Sequence, residues 1–192
     1  MTAAAIGVLA LQGDFREHAA ILERCGARVS RVRLPEDLDG LQGLVFPGGE
    51  STTMSKLLIS SGLLAPLLSA IDSGLACFTT CAGTILAAHE IRDGIPDQVS
   101  LDLLDIAVRR NAFGRQLQSA EVALEIPTLG AEPVLVAFIR APAIEEVGDG
   151  VEVLASYQGK PAAVRQGIHI GLTFHPEITG DTRLHQLFLS RL

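Results

Sequence analysis

The stretch LACFTTCAGTILAAHEI, residues 75–91, decides how the fold is interpreted. It begins with an apolar run, LACFTT (75–80), that is typical of a buried strand. It continues as AGTILAAHEI (82–91), which is typical of a helix. Cys81 stands between the two segments. The stretch therefore predicts a strand–turn–helix unit with a thiol mounted on the turn.

The chain upstream repeats this alternation of short apolar runs and helical patterns. Strands are predicted at AAAIGVLAL (3–11), ARVSRVRL (27–34) and GLVFP (43–47). Helices are predicted at DFREHAAILERCG (14–26), STTMSKLLISSG (51–62) and LLAPLLSAIDSG (63–74). Strands and helices that alternate over short connections indicate βαβ units, and continuously apolar strands indicate a parallel sheet covered on both faces.

Three loops leave the carboxyl ends of these predicted strands: LQGD (11–14), PGGES (47–51) and TTCAG (79–83). In an open α/β sheet the ligand crevice lies beyond the carboxyl ends of the strands. We therefore expect the three loops to converge on one binding site.

The second half of the chain consists of short strand-like runs separated by Gly, Pro or polar turns, and GDTRLHQLFLSRL (180–192) closes it as a predicted helix. The strand-like runs are LLDIAVRR (103–110), SAEVALEI (119–126), VLVAFIRA (134–141), VEVLASY (151–157), AAVRQG (162–167) and IHIGLTFHP (168–176). They either extend the main sheet or form an antiparallel flap. Because no linker or repeat interrupts the chain, we interpret residues 1–192 as a single α/β domain.

Composition excludes several classes of function. The 192 residues carry a formal net charge of -7, which argues against nucleic acid as the main partner because phosphate binding needs clustered Lys and Arg. No apolar stretch approaches the roughly 20 residues of a membrane span, and the N-terminus lacks the basic region of an export signal. The three cysteines form no CxxC pair, which favours a reducing compartment, the cytoplasm, and argues against a disulfide framework or a metal site.

The residues around Cys81 allow two interpretations of this thiol. A helix N-terminus stabilises a thiolate, and Ala82 and Gly83 leave room for the sharp turn on which nucleophiles are mounted. That turn usually has Gly on both sides of the nucleophile, but Thr79 occupies the upstream position. The other reading is an inert thiol in the core, as we expect for Cys25 and Cys77. The stretch by itself leaves both readings open.

A base for such a thiol is available in TFHPE (173–177). His175 and Glu177 are two residues apart, so in an extended segment both side chains point the same way and the carboxylate can orient the imidazole. Pro176 disfavours a helix and suits the end of a strand. A solvated turn explains the same residues. The other histidines fit the role less well: His18, His89, His169 and His185.

Two further elements are candidates for substrate binding. Consecutive glycines in PGGEST (47–52) allow a backbone amide to approach a ligand closely, although a tight turn with a Ser/Thr helix cap explains them equally well. Arg110 and Arg140 follow apolar runs, and a guanidinium can hold the carboxylate of an amino acid with paired hydrogen bonds. For each arginine the alternative is a surface ion pair.

The order of the motifs is more informative than any one of them. GVLALQGDFREH, PGGESTTM, TCAG, RRNAFGRQ, FIRAP and FHPE occur in this order from about Gly7 to Leu187. In this combination the chain resembles the glutaminase subunits of pyridoxal 5'-phosphate synthase, which are class I (triad-type) glutamine amidotransferases. TCAG and HPE alone would indicate only the wider class.

The resemblance implies a flavodoxin-like three-layer α/β/α sandwich with a central mixed, mostly parallel sheet. It implies a catalytic triad of Cys81, His175 and Glu177. Glutamine contacts are implied at Gly49, Glu50, Ser51, Arg110, Ile139 and Arg140. We expect the backbone amides of Gly49 and Ala82 to form the oxyanion hole, and the resemblance implies that the loop with Gln12 lies beside it and responds to the partner. Similar sequences usually have Gly at the position of Thr79, so the turn departs from their pattern there.

The implied reaction is hydrolysis of L-glutamine to L-glutamate and ammonia through a thioester. The ammonia would pass to a synthase subunit that builds pyridoxal 5'-phosphate, which is the partner's product, so no cofactor is expected in this chain. Three alternatives remain open. They are a class I glutaminase that serves a different synthase, a cysteine hydrolase with another substrate, and a regulatory subunit with impaired catalysis.

Overall fold

The computed structural model of the chain describes residues 3–110 and 119–192. Its strands are β1 (Ala5–Leu9), β2 (Arg28–Val32), β3 (Gly43–Phe46), β4 (Ala76–Thr80), β5 (Ala88–Arg92), β6 (Leu104–Arg109), β7 (Ser119–Leu124), β8 (Val134–Ile139), β9 (Ala143–Val147), β10 (Glu152–Tyr157), β11 (Lys160–Gln166) and β12 (His169–Leu172). Its helices are α1 (Phe15–Arg24), α2 (Ser51–Ser60), α3 (Leu64–Asp72), α4 (Ala82–Ala87), α5 (Pro176–Thr179) and α6 (Arg183–Leu189). Short 3-10 turns lie at Pro35–Leu38 and Pro127–Leu129.

A seven-stranded sheet forms the centre, in the order β10-β11-β12-β4-β3-β1-β2. The pairings from β12 to β2 are parallel, whereas β10 and β11 add antiparallel strands at one edge. The predicted mixed, mostly parallel sheet is therefore confirmed. The open question about the second half is settled for β10, β11 and β12, which extend the main sheet.

Alternation along the strands separates two cores, one on each face of the sheet. Leu44 and Phe46 pack into one core together with residues of α2, α3 and α4. Val45, between them, packs into the other core with residues of α1 and α6. Side chains alternate faces along a strand, so a strand that is apolar throughout needs helices on both sides. This gives the three layers that the continuously apolar strands predict.

The remaining strands form two smaller units outside the main sheet. One is a three-stranded sheet in the order β5-β6-β9, and the other is the antiparallel pair β7-β8. The alternative of an antiparallel flap therefore also holds, for the β7-β8 pair. The sequence pattern did not single out β9.

The helix predicted over residues 82–91 ends early. It stops at Ala87, and Ala88 begins β5 with an extended backbone (φ -68°, ψ 146°). The carbonyls of Leu86 and Ala87 accept hydrogen bonds from the backbone of Leu101 and Leu103, at 2.7 and 2.9 Å. β5 then pairs in parallel with β6. Pairing with a distant strand overrides the local helical pattern here, so the expectation that residues 88–91 are helical was wrong.

Within the described residues, no single helix has the length and hydropathy of a membrane span. Only α2 and α3 taken together meet those two criteria, and they are bent by 96° where they join.

Candidate active site

The loops that follow β1, β3 and β4 meet at one edge of the main sheet, as expected from their places in the chain. They surround a cavity of about 470 Å³. Its lining includes these predicted residues: Gln12, Gly49, Glu50, Ser51, Cys81, Ala82, Arg110, Ile139, Arg140 and His175. Glu177 lies behind His175 and completes the predicted set. The rest of the RRNAFGRQ motif, residues 111–116, lies outside the described residues.

Cys81 occupies the turn between β4 and α4. Its backbone has φ 46° and ψ -103°, a conformation that non-glycine residues rarely adopt and that is often found at functional sites. Gly83 makes the tight turn possible, because a Cβ at that position would lie 2.4 Å from the carbonyl oxygen of Phe46. The Cys81 side chain is buried, and its Sγ lies 3.9 Å from the carbonyl oxygen of Ile139. The turn thus holds a thiol at the inner wall of the cavity.

His175 and Glu177 are hydrogen-bonded to each other. Nδ1 of the imidazole lies 2.6 Å from Oε1 of the carboxylate, and both side chains are almost fully buried. The backbone of His175 is fixed by an N–H···O bond of 2.8 Å to Ala137. The pair does not lie on one extended segment, because Pro176 begins the short helix α5 and Glu177 follows within it. Proline fits the first position of a helix, where no backbone donor is needed.

The surroundings of His175 make its imidazole a stronger base. Burial by itself would lower the pKa of His175, but the neighbouring Cys81 and Glu177 outweigh it and raise the pKa to about 10. Burial raises the pKa of Glu177, although the charge of His175 acts against this. Since Nδ1 faces the carboxylate, we assign the proton there, and Nε2 is the nitrogen available for proton transfer at the cavity.

The loops that carry Gln12 and Gly49 are in direct contact. Oε1 of Gln12 accepts a hydrogen bond of 2.7 Å from the backbone N–H of Glu50. Gly49 has φ +152°, and a Cβ there would lie 2.4 Å from the same Oε1. A Cβ on Gly13 would lie 1.8 Å from the carbonyl oxygen of Gly48. These contacts explain why both loops contain glycine, and they link the position of Gln12 to the backbone beside the cavity.

Arg110 and Glu50 reach the cavity as a bonded pair. The carboxylate of Glu50 caps α2 by accepting from the backbone N–H groups of Thr52 and Thr53. Nη2 of Arg110 lies 3.3 Å from Oε1 of Glu50 and 3.0 Å from the hydroxyl of Thr52. Its Nη1 lies 3.2 Å from Oε1 of Gln98. The guanidinium is therefore held in place on the cavity wall by the N-terminus of α2.

Thr79, the departure from the expected Gly, points away from the cavity. Its hydroxyl lies 3.0 Å from the hydroxyl of Thr84 and 3.3 Å from the carbonyl oxygen of Ile170. The side chain is buried under α4, next to Gly171, where a Cβ would lie 3.4 Å from the Thr79 hydroxyl. The threonine side chain is thus accommodated beneath the turn and does not crowd the thiol.

The residues that surround the carboxylate of Glu177 were not predicted from the sequence. His18 is fully buried, and its Nε2 lies 3.3 Å from Oε2 of Glu177 and 3.1 Å from the hydroxyl of Thr80. Asp14 also approaches, with Oδ2 3.4 Å from Nδ1 of His175. One signal was available, because His18 follows Phe15 by three residues and precedes Leu22 by four, which places it on the inward face of α1.

Asp14, His175 and Glu177 place one potential ligand atom each within 4.8 Å of one another. A cation could bridge such a group. However, the nitrogen and one carboxylate oxygen are already joined by the 2.6 Å hydrogen bond. We therefore interpret these residues as part of the acid–base arrangement around the thiol.

The fold and this grouping of thiol, imidazole and carboxylate define a class, an α/β protein with the side chains of a triad-type cysteine hydrolase. The family follows from comparison with known proteins. The chain belongs to the SNO glutamine amidotransferase family, and the sequence model of that family matches residues 8–192.

Relatives and solved structures agree with this assignment. The chain is 56% identical over 185 residues to the pyridoxal 5'-phosphate synthase subunit PdxT of Clavibacter sepedonicus, covering 96% of this chain and 88% of the relative. It is also 56% identical over 184 residues to PdxT of Mycobacteroides abscessus, covering 96% and 95%. A crystal structure of a glutamine amidotransferase is 48% identical, with a TM-score of 0.89 over 96% of this chain and 97% of that chain. PurLQS from Thermotoga maritima, at 19% identity, shares the fold, with a TM-score of 0.64 over 99% and 97%.

Proposed function

We propose that this chain is the glutaminase subunit of a pyridoxal 5'-phosphate synthase and that it hydrolyses L-glutamine to L-glutamate and ammonia. One observation carries the assignment of the site. A buried imidazole, bonded at 2.6 Å to the carboxylate of Glu177, lines the same cavity as the strained turn of Cys81. The names of relatives that are 56% identical over 96% of the chain support the synthase as the destination of the ammonia.

The reaction begins when Cys81 gives its proton to His175 and its sulfur attacks the side-chain carboxamide carbon of glutamine. The C=O electron pair moves to the oxygen, and the backbone amides of Gly49 and Ala82 hold that oxyanion. The raised pKa of His175 fits its role as proton acceptor. The imidazolium then protonates the leaving nitrogen, the C–N bond breaks, and ammonia departs from a thioester.

The second half of the reaction releases glutamate. His175 takes a proton from water, the hydroxide attacks the thioester carbon, and the sulfur leaves and is reprotonated. Glu177 orients the imidazole and stabilises its charged form in both halves. Losing one oxyanion donor typically lowers the rate about 100-fold to 1,000-fold, so the backbone at Gly49 and Ala82 carries much of the rate.

Glutamine is held by its α-carboxylate and α-amino groups at the outer part of the cavity. Arg110 and Arg140 supply positive charge for the carboxylate, and Glu50 supplies negative charge for the ammonium. Ser51 and Ile139 complete the contacts with the substrate. The fixed position of Arg110 against α2 supports this arrangement, because a held guanidinium loses little entropy on binding.

The synthase subunit docks at the face that contains the cavity and receives ammonia there. Gln12 responds to that docking, since its side chain is already bonded to the backbone of the loop that carries Gly49. The compartment we propose is the cytoplasm. Cys25, Cys77 and Cys81 are free thiols in the described part of the chain, which fits a reducing environment.

The test is glutamate formation by the wild-type chain and by Cys81→Ala, each with and without a pyridoxal 5'-phosphate synthase subunit. We expect activity from the wild type with the subunit present and none from Cys81→Ala. Cys25→Ser is the matched control and retains activity, because that thiol lies at the end of α1. Retained activity in Cys81→Ala would remove Cys81 from the mechanism. Activation by a different synthase subunit alone would reassign the partner.

A further inference from the structure

A second pair of buried histidines lies directly behind the triad. His18 on α1 and His185 on α6 are both fully buried, and Nδ1 of His18 lies 2.9 Å from Nε2 of His185. The other nitrogen of His18 faces Oε2 of Glu177 at 3.3 Å and Thr80 at 3.1 Å. The carboxylate of Glu177 therefore lies between two imidazoles, with Oε1 bonded to His175 and Oε2 facing His18.

The available hydrogen bonds favour one arrangement of protons on His185, His18 and Glu177. Nδ1 of His185 and Oε2 of Glu177 are both buried without a conventional hydrogen-bond partner among the described residues. If His18 carried its proton on Nδ1, the neutral His185 would bury an unbonded N–H, and the lone pair of His18 Nε2 would face a carboxylate oxygen. Both consequences cost free energy.

The reverse arrangement removes both problems. His185 donates from Nε2 to Nδ1 of His18, so only a lone pair remains unpartnered at its Nδ1. His18 then presents Nε2–H, which bonds to the Thr80 hydroxyl at 3.1 Å and faces Oε2 of Glu177 at 3.3 Å. Burial lowers the pKa of both His18 and His185, the latter to about 4, so each is neutral at pH 7. His18 thus offers a neutral donor whose direction is set by its neighbour.

We propose that His18 is a positioning residue of the glutaminase reaction, which holds the outer oxygen of Glu177 through Nε2–H, and that His185 sets the tautomer that makes this possible. The inference rests on the proposed function, since it requires Glu177 to act through His175. Glu177 has to remain ionised and oriented while His175 is positively charged. A donor on its second oxygen serves both requirements.

The groups that bear on Glu177 come from several elements. His175 precedes it on the same turn, Asp14 approaches from the loop before α1 and raises its pKa, and His18 faces it from α1. Asp181 acts on His185 from the segment before α6. β8, which packs against α5, contributes the apolar run VLVAFI. The carboxylate is bonded by the ring of His175 and by the backbone N–H of Glu177, and His18 is the further side-chain donor that faces it.

The test compares His18→Leu with His18→Gln in the complex with the synthase subunit. Leu removes the donor, whereas the amide nitrogen of Gln restores one near the position of Nε2. We expect His18→Leu to lower kcat roughly 10-fold to 100-fold with KM unchanged, the usual effect of a hydrogen bond to a charged group. The acid limb of the kcat profile moves to higher pH, because Glu177 without a donor is protonated more easily. His18→Gln recovers most of kcat and the original limb.

A matched control is His89→Leu, since His89 is an exposed histidine paired with Asp102 and should leave both readouts unchanged. If His18→Leu does not fold, His185→Leu decides, because it acts only by releasing the tautomer of His18 and should shift the acid limb in the same direction. Equal losses in His18→Leu and His18→Gln with an unshifted pH profile would show a structural role and overturn the proposal. So would an unshifted limb in His185→Leu. A wild type that is inactive with the synthase subunit would instead contradict the proposed function.

Discussion

The imidazole of His175 lies against Gly48 so closely that a Cβ at Gly48 would come within 2.1 Å of its Cε1. Real Cβ atoms do not approach other atoms this closely, so the ring and a side chain at position 48 cannot both keep their places. The first glycine of the PGGES loop is therefore required by the position of the His175 ring that packs against it.

Gly48→Ala should displace the imidazole and lower kcat about 100-fold, because a shift of about 1 Å in a catalytic group has effects of that size. Steady-state glutamine hydrolysis in the presence of the synthase subunit measures it. Gly150→Ala is the control, since the nearest atom to its Cβ would be Nε2 of Gln166 at 3.7 Å, an ordinary contact. Wild-type kcat in Gly48→Ala would mean that the ring position observed here is not the one that reacts.

Arg110→Ala should raise KM for glutamine at least 10-fold, with a smaller effect on kcat, because it removes a charge-assisted contact with the substrate. Arg109→Ala is the neighbouring control. Arg109 pairs with Asp93 and Glu145, away from the cavity lining. An unchanged KM in Arg110→Ala would assign the guanidinium only to holding Glu50 and the start of α2.

Thr79→Gly should leave kcat within about twofold of wild type but lower the free energy of unfolding by roughly 1–3 kcal/mol. The hydroxyl bonds to Thr84 and Ile170 beneath α4, and a buried hydrogen bond together with glycine flexibility in a strand accounts for that loss. Urea unfolding and a glutaminase assay on the same samples separate the two effects. Thr79→Ser keeps the hydroxyl and should lose less stability. A large gain of activity in Thr79→Gly would show that the threonine crowds the reacting groups after all.

Stability should fall as the pH is lowered from about 6.5 to about 4. The pKa of His185 drops from its ordinary 6.5 to about 4 on folding because the side chain is buried. In that window the unfolded chain binds more protons than the folded one, so acid favours unfolding. This shift is worth roughly 3 kcal/mol in total, and about 2 kcal/mol of it appears between pH 7 and pH 5.

Urea unfolding of the wild type and His185→Gln at these two pH values measures the contribution of His185. The variant should lose less stability than the wild type between pH 7 and pH 5. His89→Gln should keep the full loss, because the pKa of exposed His89 is raised by its bond to Asp102. Equal losses in the wild type and His185→Gln would show that His185 does not resist protonation.

Local sequence predicted the centre of the main sheet, because the inner parallel strands β1, β3 and β4 are short, mostly apolar runs, each followed by a helix or a small-residue turn. It also brought Cys81 to the end of a strand. The local sequence could not show that the helix ends before Ala88. Its end depends on pairing with β6, which lies beyond a loop, and on the bond between Arg92 and Glu145. Such pairings are set by the tertiary structure and leave no local periodicity.

The site behind the triad was hidden for a related reason. His18 and His185 are separated by 167 positions in the chain, and each alone fits a histidine on a packed helix face. The HPE motif predicted the hydrogen bond between His175 and Glu177, because these two residues are close together in the sequence. The contact between Oε2 of Glu177 and His18 becomes visible only when α1 and α6 pack on one face of the sheet.

All six residues of α4 are buried, and its last carbonyls are bonded to the backbone that follows β5. A segment without a solvent-facing side opens only when the surrounding layers come apart. The amide protons of its last residues, from Ile85 onward, should therefore exchange with deuterium slowly. In the proposed reaction the thiol is thus mounted on a rigid, buried segment, and the loops around it are the parts we expect to respond to a partner.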